Sequence, residues 1–208
     1  MSNLRRSLHF TDENNNKIHH LRVERKEQIL CETYLNESCI VLELGARYGT
    51  VSCVIEKIIK NPKHLVVIEP DERVWASLEN NRNNNNCSFN IVKGFVSLKP
   101  LILENHNEWN GYATSSKESE ISTIPSYTLS EIQDKYNIVF NTLVADCEGF
   151  LGIFLEENPI LYSQLQIIIF EKDYPKVCNY KKIKDTLKQN GFIQEVSLFR
   201  ECWIKPKN

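Results

Sequence analysis

The strongest signal in this chain is the stretch VLELGARYGTVS, residues 41–52. It is typical of a buried apolar strand carrying an acid, Glu43, followed by a turn with two glycines, Gly45 and Gly49, and then by the start of a helix. Glycine has no Cβ and tolerates positive φ, so such a turn lets the backbone approach a ligand closely. A second acid, Glu69, closes the next apolar run, 24 positions after Gly45. Strand, glycine turn, helix, strand and acid together predict half of a nucleotide-binding α/β domain.

The same turn argues against a dinucleotide. The dinucleotide fingerprint is G-x-G-x-x-G, in which the second glycine lets the backbone approach the pyrophosphate. Here the second and third glycine positions are occupied by Arg47 and Thr50. S-adenosylmethionine has no phosphate and carries a positive sulfonium and an ammonium group, which suit the acid at Glu43. The turn therefore favours this methyl donor, and the alternative is a plain α/β loop with incidental glycines.

Composition favours one soluble domain. A chain of 208 residues fits a single domain with a short extension, and a formal charge of -2 gives no overall basic field that would attract nucleic acid. Seven scattered cysteines without a C-x-x-C pair suit reduced thiols. The first residues lack a signal peptide, and no run approaches a membrane span. We therefore expect a cytoplasmic location and no membrane partner; the charge favours a small-molecule or glycan acceptor over a nucleic acid.

Periodicity predicts strands alternating with helices. The expected strands are 38–44, 65–69, 89–92, 141–145 and 165–170, with a closing hairpin at 192–198 and 201–205. The expected helices are 21–34, 50–59, 71–81, a short one from Thr128 or Ser130, 150–155 and 181–190. This order predicts an α/β fold with helices on both faces of a mostly parallel seven-stranded sheet and an antiparallel C-terminal hairpin.

Two segments do not follow this alternation. Residues 1–36 form an N-terminal extension that ends in a helix, and we expect it to act as a lid on the acceptor side of a domain spanning 37–208. Residues 98–126 have no regular pattern and are predicted to be a long surface insertion. Its Trp109 and Tyr112 would add aromatic acceptor surface, although core packing explains Trp109 equally well.

With these residues placed, the chain resembles the FkbM family of S-adenosylmethionine-dependent methyltransferases. The matching stretches, in the order of the family, are VLELGARYGTVS, VVIEPDERVWASLENN, FNIVKGFVS, IPSYTLSEI, LVADCEGFLGIFL and IIIFE. They span roughly residues 38–200. The resemblance implies the class I methyltransferase Rossmann-like fold, and known members are mostly O-methyltransferases acting on hydroxyls of sugars and secondary metabolites.

The chain departs from the family pattern at two positions. Arg47 stands where the family usually has a small polar residue, often asparagine, and this alters the expected contacts near the methionine part of the donor. Ser130 replaces an aspartate that is common at this helix start, which puts a possible acid of the acceptor side in doubt.

The resemblance and the charge pattern together predict a donor site. Glu43 and the two glycines would cradle the methionine part, although turn geometry alone also accounts for the glycines. Glu69 would accept hydrogen bonds from both ribose hydroxyls, unless it only caps the helix after Pro70. Phe95 would pack on the adenine, unless it belongs to the core. The residues predicted to contact the donor are Glu43, Gly45, Ala46, Arg47, Gly49, Glu69, Pro70, Gly94, Phe95 and Asp146.

Catalysis is predicted at the mouth of the fourth strand. A neutral hydroxyl is a poor nucleophile, so a carboxylate should take its proton as the methyl group moves. Asp146 is the first candidate for base or donor contact, followed by Glu148 and Glu171. The alternative for Glu148 is bonding to backbone N–H groups at the start of the next helix.

A metal is possible but not favoured at this mouth. Two acids this close, Asp146 and Glu148, could hold Mg²⁺, but a third carboxylate is not obvious from the sequence. The five histidines lack the ligand spacing of a zinc site; His106, in the insertion, is a further candidate base.

The sequence is compatible with three hypotheses for the function. The leading hypothesis is an O-methyltransferase for a hydroxyl of a sugar, glycan or related small molecule. The second keeps the donor and makes RNA the acceptor, on the strength of basic residues such as Arg25 and Lys26. The third is a non-catalytic binding module with the methyltransferase fold, and Arg47 is its best argument.

Overall fold

A seven-stranded sheet forms the centre of the molecule. The computed structural model describes residues 3–105 and 114–206. The strands are, in chain order, β1 (Val41–Leu44), β2 (Leu65–Glu69), β3 (Asn90–Lys93), β4 (Phe95–Val96), β5 (Leu101–Asn105), β6 (Thr114–Glu118), β7 (Ser126–Tyr127), β8 (Thr142–Ala145), β9 (Ile167–Glu171), β10 (Ile193–Ser197) and β11 (Arg200–Ile204). The central sheet has the order β10-β11-β9-β8-β1-β2-β3.

The sheet is parallel except at its C-terminal edge. Strands β3, β2, β1, β8 and β9 pair in parallel, whereas β11 is antiparallel to both β9 and β10. Leu44 lies level with Ile68 on one side and with Ala145 on the other, so three strands end at one edge. The predicted mostly parallel sheet with an antiparallel hairpin is confirmed. In parallel sheets of this kind, ligands bind outside the carboxyl ends of the strands, where the strand order reverses, and here that point lies between β1 and β8.

Helices cover both faces of the sheet, as predicted. They are α1 (Asn3–Arg6), α2 (His20–Val23), α3 (Arg25–Tyr34), α4 (Thr50–Glu56), α5 (Trp75–Asn84), α6 (Leu129–Tyr136), α7 (Leu151–Glu157), α8 (Leu161–Gln164) and α9 (Tyr180–Gln189). Thr128 caps α6, because its side chain accepts the Glu131 N–H while the Glu131 carboxylate accepts the Thr128 N–H. No helix within the described residues is long and apolar enough to cross a membrane.

Alternation along the strands divides the core into two layers. Val41 and Val67 pack with buried residues of α3, α4 and α5, whereas Leu42 and Val66 pack with buried residues of α6, α7, α8 and α9. Because successive strand side chains point to opposite faces, each central strand contributes to both layers. The near-continuous apolar character of these strands follows from this burial on both faces.

The insertion contains more order than its sequence indicates. Strands β5 and β6 form an antiparallel hairpin, and β7 pairs in parallel with β4, so the prediction of an irregular segment is wrong over these residues. The polar strand TSSKE has no alternation that would reveal it. His106, Trp109 and Tyr112 lie outside the described residues.

The N-terminal segment packs into the same core as the sheet. Leu8 and Phe10 are buried with residues of β1 and α4. Asn81 and Asn85, one helical turn apart on α5, use their side-chain amides to pair with its backbone. The Asn85 amide accepts the His9 N–H at 2.9 Å and donates to the His9 carbonyl at 2.8 Å, and Asn81 does the same for Thr11, at 2.9 Å each. We call this arrangement the amide clamp.

The inward face of α3 combines apolar and polar side chains. Leu30 and Tyr34 are partly buried and pack against the core. The most deeply buried residues are Glu27, Gln28 and Cys31. The inward side chain Glu27 brings a carboxylate to the edge of the sheet where the strands end.

Candidate functional site

A cavity opens at the carboxyl ends of β1, β2 and β8. It contains about 1080 Å³ of space not filled by protein atoms, including its mouth. Its described walls carry seven carboxylates and one guanidinium group, those of Glu24, Glu27, Glu43, Glu69, Asp71, Asp146, Glu148 and Arg47. Apolar side chains complete the wall, namely Leu44, Ala46, Val51, Ile68, Pro70, Val74, Phe95, Val96, Leu103 and Phe150. A cavity with this charge selects a ligand with positive charge.

Gly45 lets two loops meet at the floor of the cavity. Its φ of +83° lies in the left-handed region, and a Cβ placed there would lie 1.8 Å from the backbone carbonyl oxygen of Asp146. Only glycine satisfies both conditions, so the turn after β1 packs directly on the turn after β8. The Asp146 N–H also donates to the Leu44 carbonyl at 3.0 Å.

Arg47 has a backbone conformation that asparagine, the usual residue here in the resembled family, adopts more readily. Its φ is +46°, in the left-handed region where asparagine is enriched among non-glycine residues. Its N–H donates to Glu69 Oε2 at 2.6 Å, and its guanidinium carbon lies 5.1 Å from the centre of the Tyr48 ring. The backbone of Arg47 therefore holds Glu69, while its side chain supplies the guanidinium group of the cavity wall.

Glu69 is held in place by two backbone groups. Besides the bond from Arg47, its Oε1 accepts the Asp71 N–H at 2.8 Å. The side chain is 5% exposed, and burial raises its pKa to about 7. Each oxygen keeps a further lone pair, so this fixed carboxylate suits two neighbouring hydroxyls.

Glu43 is a buried acid with an unpartnered oxygen. It is 3% exposed, and its Oε2 has no hydrogen-bond partner among the described residues. Burial raises its pKa to about 8. Hydrogen bonding from the Ser52 side chain opposes this shift. A buried carboxylate oxygen without an ionic partner is costly, so Glu43 suits a positive group.

Asp146 and Glu148 line the other side of the cavity. Burial, reinforced by the charge of Asp173, raises the pKa of Asp146 to about 6 and that of Glu148 to about 8. Glu148 has a φ of +51°. Sequence reasoning missed Asp173, whose Oδ1 accepts the Gly149 N–H at 2.9 Å and the Tyr180 hydroxyl at 2.8 Å. These bonds fix the turn that carries both candidate catalytic acids.

Glu171, the third candidate base, forms an ion pair. Its carboxylate contacts the Arg200 guanidinium group, and it is not among the residues that line the cavity. Burial, reinforced by the charge of Asp146, raises its pKa to about 7, while Arg200 acts in the opposite direction. Because Glu171 is held by Arg200 and does not line the cavity, it is less accessible to an acceptor than Asp146.

The cavity collects most of the predicted donor residues. Those that line it are Glu43, Gly45, Ala46, Arg47, Glu69, Pro70, Phe95 and Asp146. Gly49 and Gly94 do not line it. A Cβ on Gly49 would meet Leu78 Cδ1 at 2.9 Å, and one on Gly94 would meet the Pro125 carbonyl oxygen at 2.4 Å, so both glycines serve packing. Ser130 is exposed and lies outside the cavity.

The N-terminal helices supply two acids that the sequence analysis missed. Glu24 and Glu27 line the cavity. Burial, reinforced by the charge of Asp146, raises the pKa of Glu24 to about 7 and that of Glu27 well above its usual value. Their spacing could have revealed them in the sequence. Glu24 and Glu27 are three residues apart on the helix face that also buries Cys31, and acids on a buried helix face are unusual.

One group of acids has the geometry of a cation site. Glu27, Asp146 and Glu171 each offer a carboxylate oxygen, and these oxygens lie within 4.8 Å of one another. The group includes Asp146, but not Glu148, the other acid considered as a possible but not favoured magnesium ligand. We call Glu27, Asp146 and Glu171 the outer acidic cluster.

We expect the ligand-free protein to lose stability between about pH 5 and pH 8.5. Glu43 and Glu69 have pKa values raised to about 8 and about 7 by burial, so in this range the folded state holds protons that the unfolded state has released. Stability falls with rising pH wherever the folded state binds more protons, so the free energy of unfolding should fall by several kcal/mol. Urea unfolding at fixed salt measures it. The Glu43→Gln variant should show a weaker dependence, and an unchanged slope in that variant would contradict the assignment.

The sequence matches no family model and no curated protein. Several solved structures, however, are similar to the chain in fold. A precorrin-6y C5,15-methyltransferase from Geobacter metallireducens GS-15 is similar to this chain with a TM-score of 0.56 at 11% identity, covering 90% of each chain. An O-methyltransferase from Bacillus cereus, solved in complex with SAH, has a TM-score of 0.53 at 12% identity and covers 90% of this chain and 84% of that chain. An rRNA methylase from Streptococcus thermophilus has a TM-score of 0.54 at 9% identity, covering 89% and 98%.

The chain has the class I methyltransferase fold. At these identities the likeness extends to the methyltransferase fold alone, and these neighbours act on unrelated acceptors. The methyltransferase fold places the cavity at the carboxyl ends of the parallel strands, but the chemistry of the cavity has to be inferred from its own residues.

Proposed function

We propose that this protein is an S-adenosylmethionine-dependent O-methyltransferase of the FkbM kind that acts on a hydroxyl of a sugar, glycan or related small molecule. One observation carries the proposal. Two buried carboxylates, Glu43 and Glu69, lie on adjacent parallel strands and line one cavity with Asp146. A methyltransferase of the same fold was solved in complex with SAH, which supports S-adenosylmethionine as the donor.

The cavity residues fit this donor. Glu43, with its unpartnered buried oxygen, suits the positive end of the molecule. Glu69, held by the backbone of Arg47 and Asp71, suits the ribose diol. Phe95 is buried in the core and also lines the cavity, so it offers an apolar wall for the adenine. A pyrophosphate would be repelled by the acids, which argues against a dinucleotide.

Asp146 is the proton acceptor that this cavity favours. When bound, S-adenosylmethionine supplies a methyl group on a cationic sulfur, and transfer to an acceptor oxygen breaks the carbon–sulfur bond, forms a carbon–oxygen bond and releases the hydroxyl proton. With a pKa of about 6, Asp146 is largely ionised at neutral pH, yet it is more basic than an ordinary aspartate. Glu148, with a pKa of about 8, is mostly protonated there and is the weaker candidate.

The acidic wall also weighs against RNA as the acceptor. Phosphates of a bound strand would face Glu24, Glu27 and Glu148 at the cavity. Donor binding distinguishes an enzyme from a non-catalytic module, because the hypothesis of a non-catalytic module requires that neither S-adenosylmethionine nor its demethylated product binds.

Glu69→Ala should weaken donor binding by roughly 1–3 kcal/mol, about 5- to 150-fold. The change removes a fixed, charged acceptor and leaves the N–H groups of Arg47 and Asp71 without their present partner. Isothermal calorimetry with S-adenosylmethionine and with its demethylated product measures this effect.

Glu72→Ala is the matched control. Glu72 is exposed, lies three residues away and does not line the cavity, so donor affinity should stay unchanged. Equal affinity in the wild type and both variants would show that Glu69 does not bind the donor, and absence of donor binding to the wild type would refute the proposed function.

A further inference from the structure

The cavity contains more acidic groups than the proposed donor requires. Glu43 and Glu69 account for the positive end and the diol of that molecule. Glu24 and Glu27, from the N-terminal helices, add two acids beside Asp146. Their position next to the candidate base indicates a second positive group, on the acceptor side.

Glu27 is the clearest sign of a missing partner. It is 3% exposed and lines the cavity, and its only ion-pair contact within residues 3–105 and 114–206 is with Arg200. The nearest basic atom in the described part of the chain is Arg200 Nε, 3.8 Å from Glu27 Oε2. A buried carboxylate needs a closer donor than this.

Arg200 does not neutralise the outer acidic cluster. Its guanidinium group is engaged by Glu171, and that single charge faces the three carboxylates of the cluster. The other guanidinium group of the cavity, that of Arg47, belongs to the donor-side turn, although its charge also acts on Asp146 and Glu148. Room for one more positive charge therefore remains beside Glu27.

We propose that the acceptor is a hydroxyl compound that carries an ammonium group, such as an amino sugar or amino alcohol, and that Glu27 binds this ammonium beside Asp146. The inference rests on the proposed function, because it names the acceptor class of the same site. An ammonium brings three N–H donors, which can bond to Glu27 and its neighbours. Val96, Leu103 and Phe150 add apolar wall to the same cavity, which suits an organic body better than a hydrated ion.

A binding experiment tests the charge directly. Wild type and Glu27→Gln, each saturated with the demethylated donor product, are titrated by calorimetry with glucosamine, with 2-deoxystreptamine, and with the N-acetylated form of each. We expect the wild type to bind the amines at least about 10-fold more tightly than the acetylated forms, and we expect Glu27→Gln to lose most of that preference. Glu37→Gln, an exposed residue just after α3, is the control and should keep it.

Three results would overturn the proposal. These are equal binding of amines and acetylated forms by the wild type, no binding of either series up to millimolar concentrations, and an amine preference that survives in Glu27→Gln. Amine binding that disappears with a chelator and returns with Mg²⁺ would assign the outer acidic cluster to a metal instead.

The donor site is tested separately. Donor affinity should be the same in wild type and Glu27→Gln, because Glu27 is not among the residues assigned to the donor. If the donor binds and neutral hydroxyl compounds are methylated as well as amines, the acceptor assignment fails while the proposed function stands. If the donor does not bind at all, the proposed function fails.

Discussion

Asp146→Asn is expected to lower turnover by about 10²–10⁴-fold, the usual contribution of a general base. The variant keeps the shape of the side chain and removes its ability to take the acceptor proton. In the wild type, kcat/KM should fall with decreasing pH below about 6, because the pKa of Asp146 is raised to about 6 by burial and by Asp173. This acid limb should be absent from the variant. Labelled-donor assays across pH 5–9, with any acceptor that supports turnover, measure both effects.

Two further measurements make this result specific to proton transfer. Asp185→Asn, on the exposed face of α9, removes a surface carboxylate and should leave both turnover and its pH profile unchanged. Donor affinity distinguishes the two roles predicted for Asp146. A variant with weakened donor binding but a normal rate at saturating donor would show that Asp146 contacts the donor and is not the base.

Gly45→Ala should produce the largest loss of stability. The new Cβ would overlap the Asp146 carbonyl oxygen, 1.8 Å away, and alanine would also be forced to a φ of +83°. The left-handed conformation alone costs an L-residue about 1–2 kcal/mol, and separating the two turns adds to it, so we expect a total of at least about 3 kcal/mol. Donor binding should be lost as well, because the floor of the cavity moves. Urea unfolding and calorimetry measure the two effects.

Gly191→Ala is a matched control for the backbone contribution. Gly191 has nearly the same φ, +82°, but a Cβ there meets nothing within 4 Å. Its replacement should cost only about 1–2 kcal/mol and leave donor binding intact. If both variants lose the same stability, the contact between the two turns has no energetic role.

The central fold was predictable because its strands are buried on both faces. Runs such as LVVIE are apolar throughout and end at an acid, so strand β2 was predicted with its observed bounds. The hairpin of β5 and β6 was not predictable in this way, since TSSKE is polar on both sides and pairs only because β5 lies beside it. Gly191 follows α9 with positive φ, the conformation that a glycine after a helix end commonly adopts.

The site was predictable only where local sequence defines it. Glu43, Gly45 and Glu69 follow from strand ends and a glycine turn, and they do line one cavity or its floor. Glu27 and Arg200 come together with Asp146 and Glu171 only through packing of residues far apart in the chain. No local sequence pattern indicates that these four residues lie close together. Arg47 was recognised as an unusual residue for its position, but its left-handed backbone conformation could not be predicted from the residue type.

The amide clamp has a consequence for how the cavity responds to its surroundings. Asparagine side chains carry no charge at any physiological pH, and hydrogen bonds between neutral groups are little affected by ionic strength. The attachment of residues 9–11 to α5 is therefore indifferent to acidity and salt, whereas the acids of the cavity are not. The acids of the cavity can therefore gain and lose protons while the hydrogen bonds of the amide clamp stay intact.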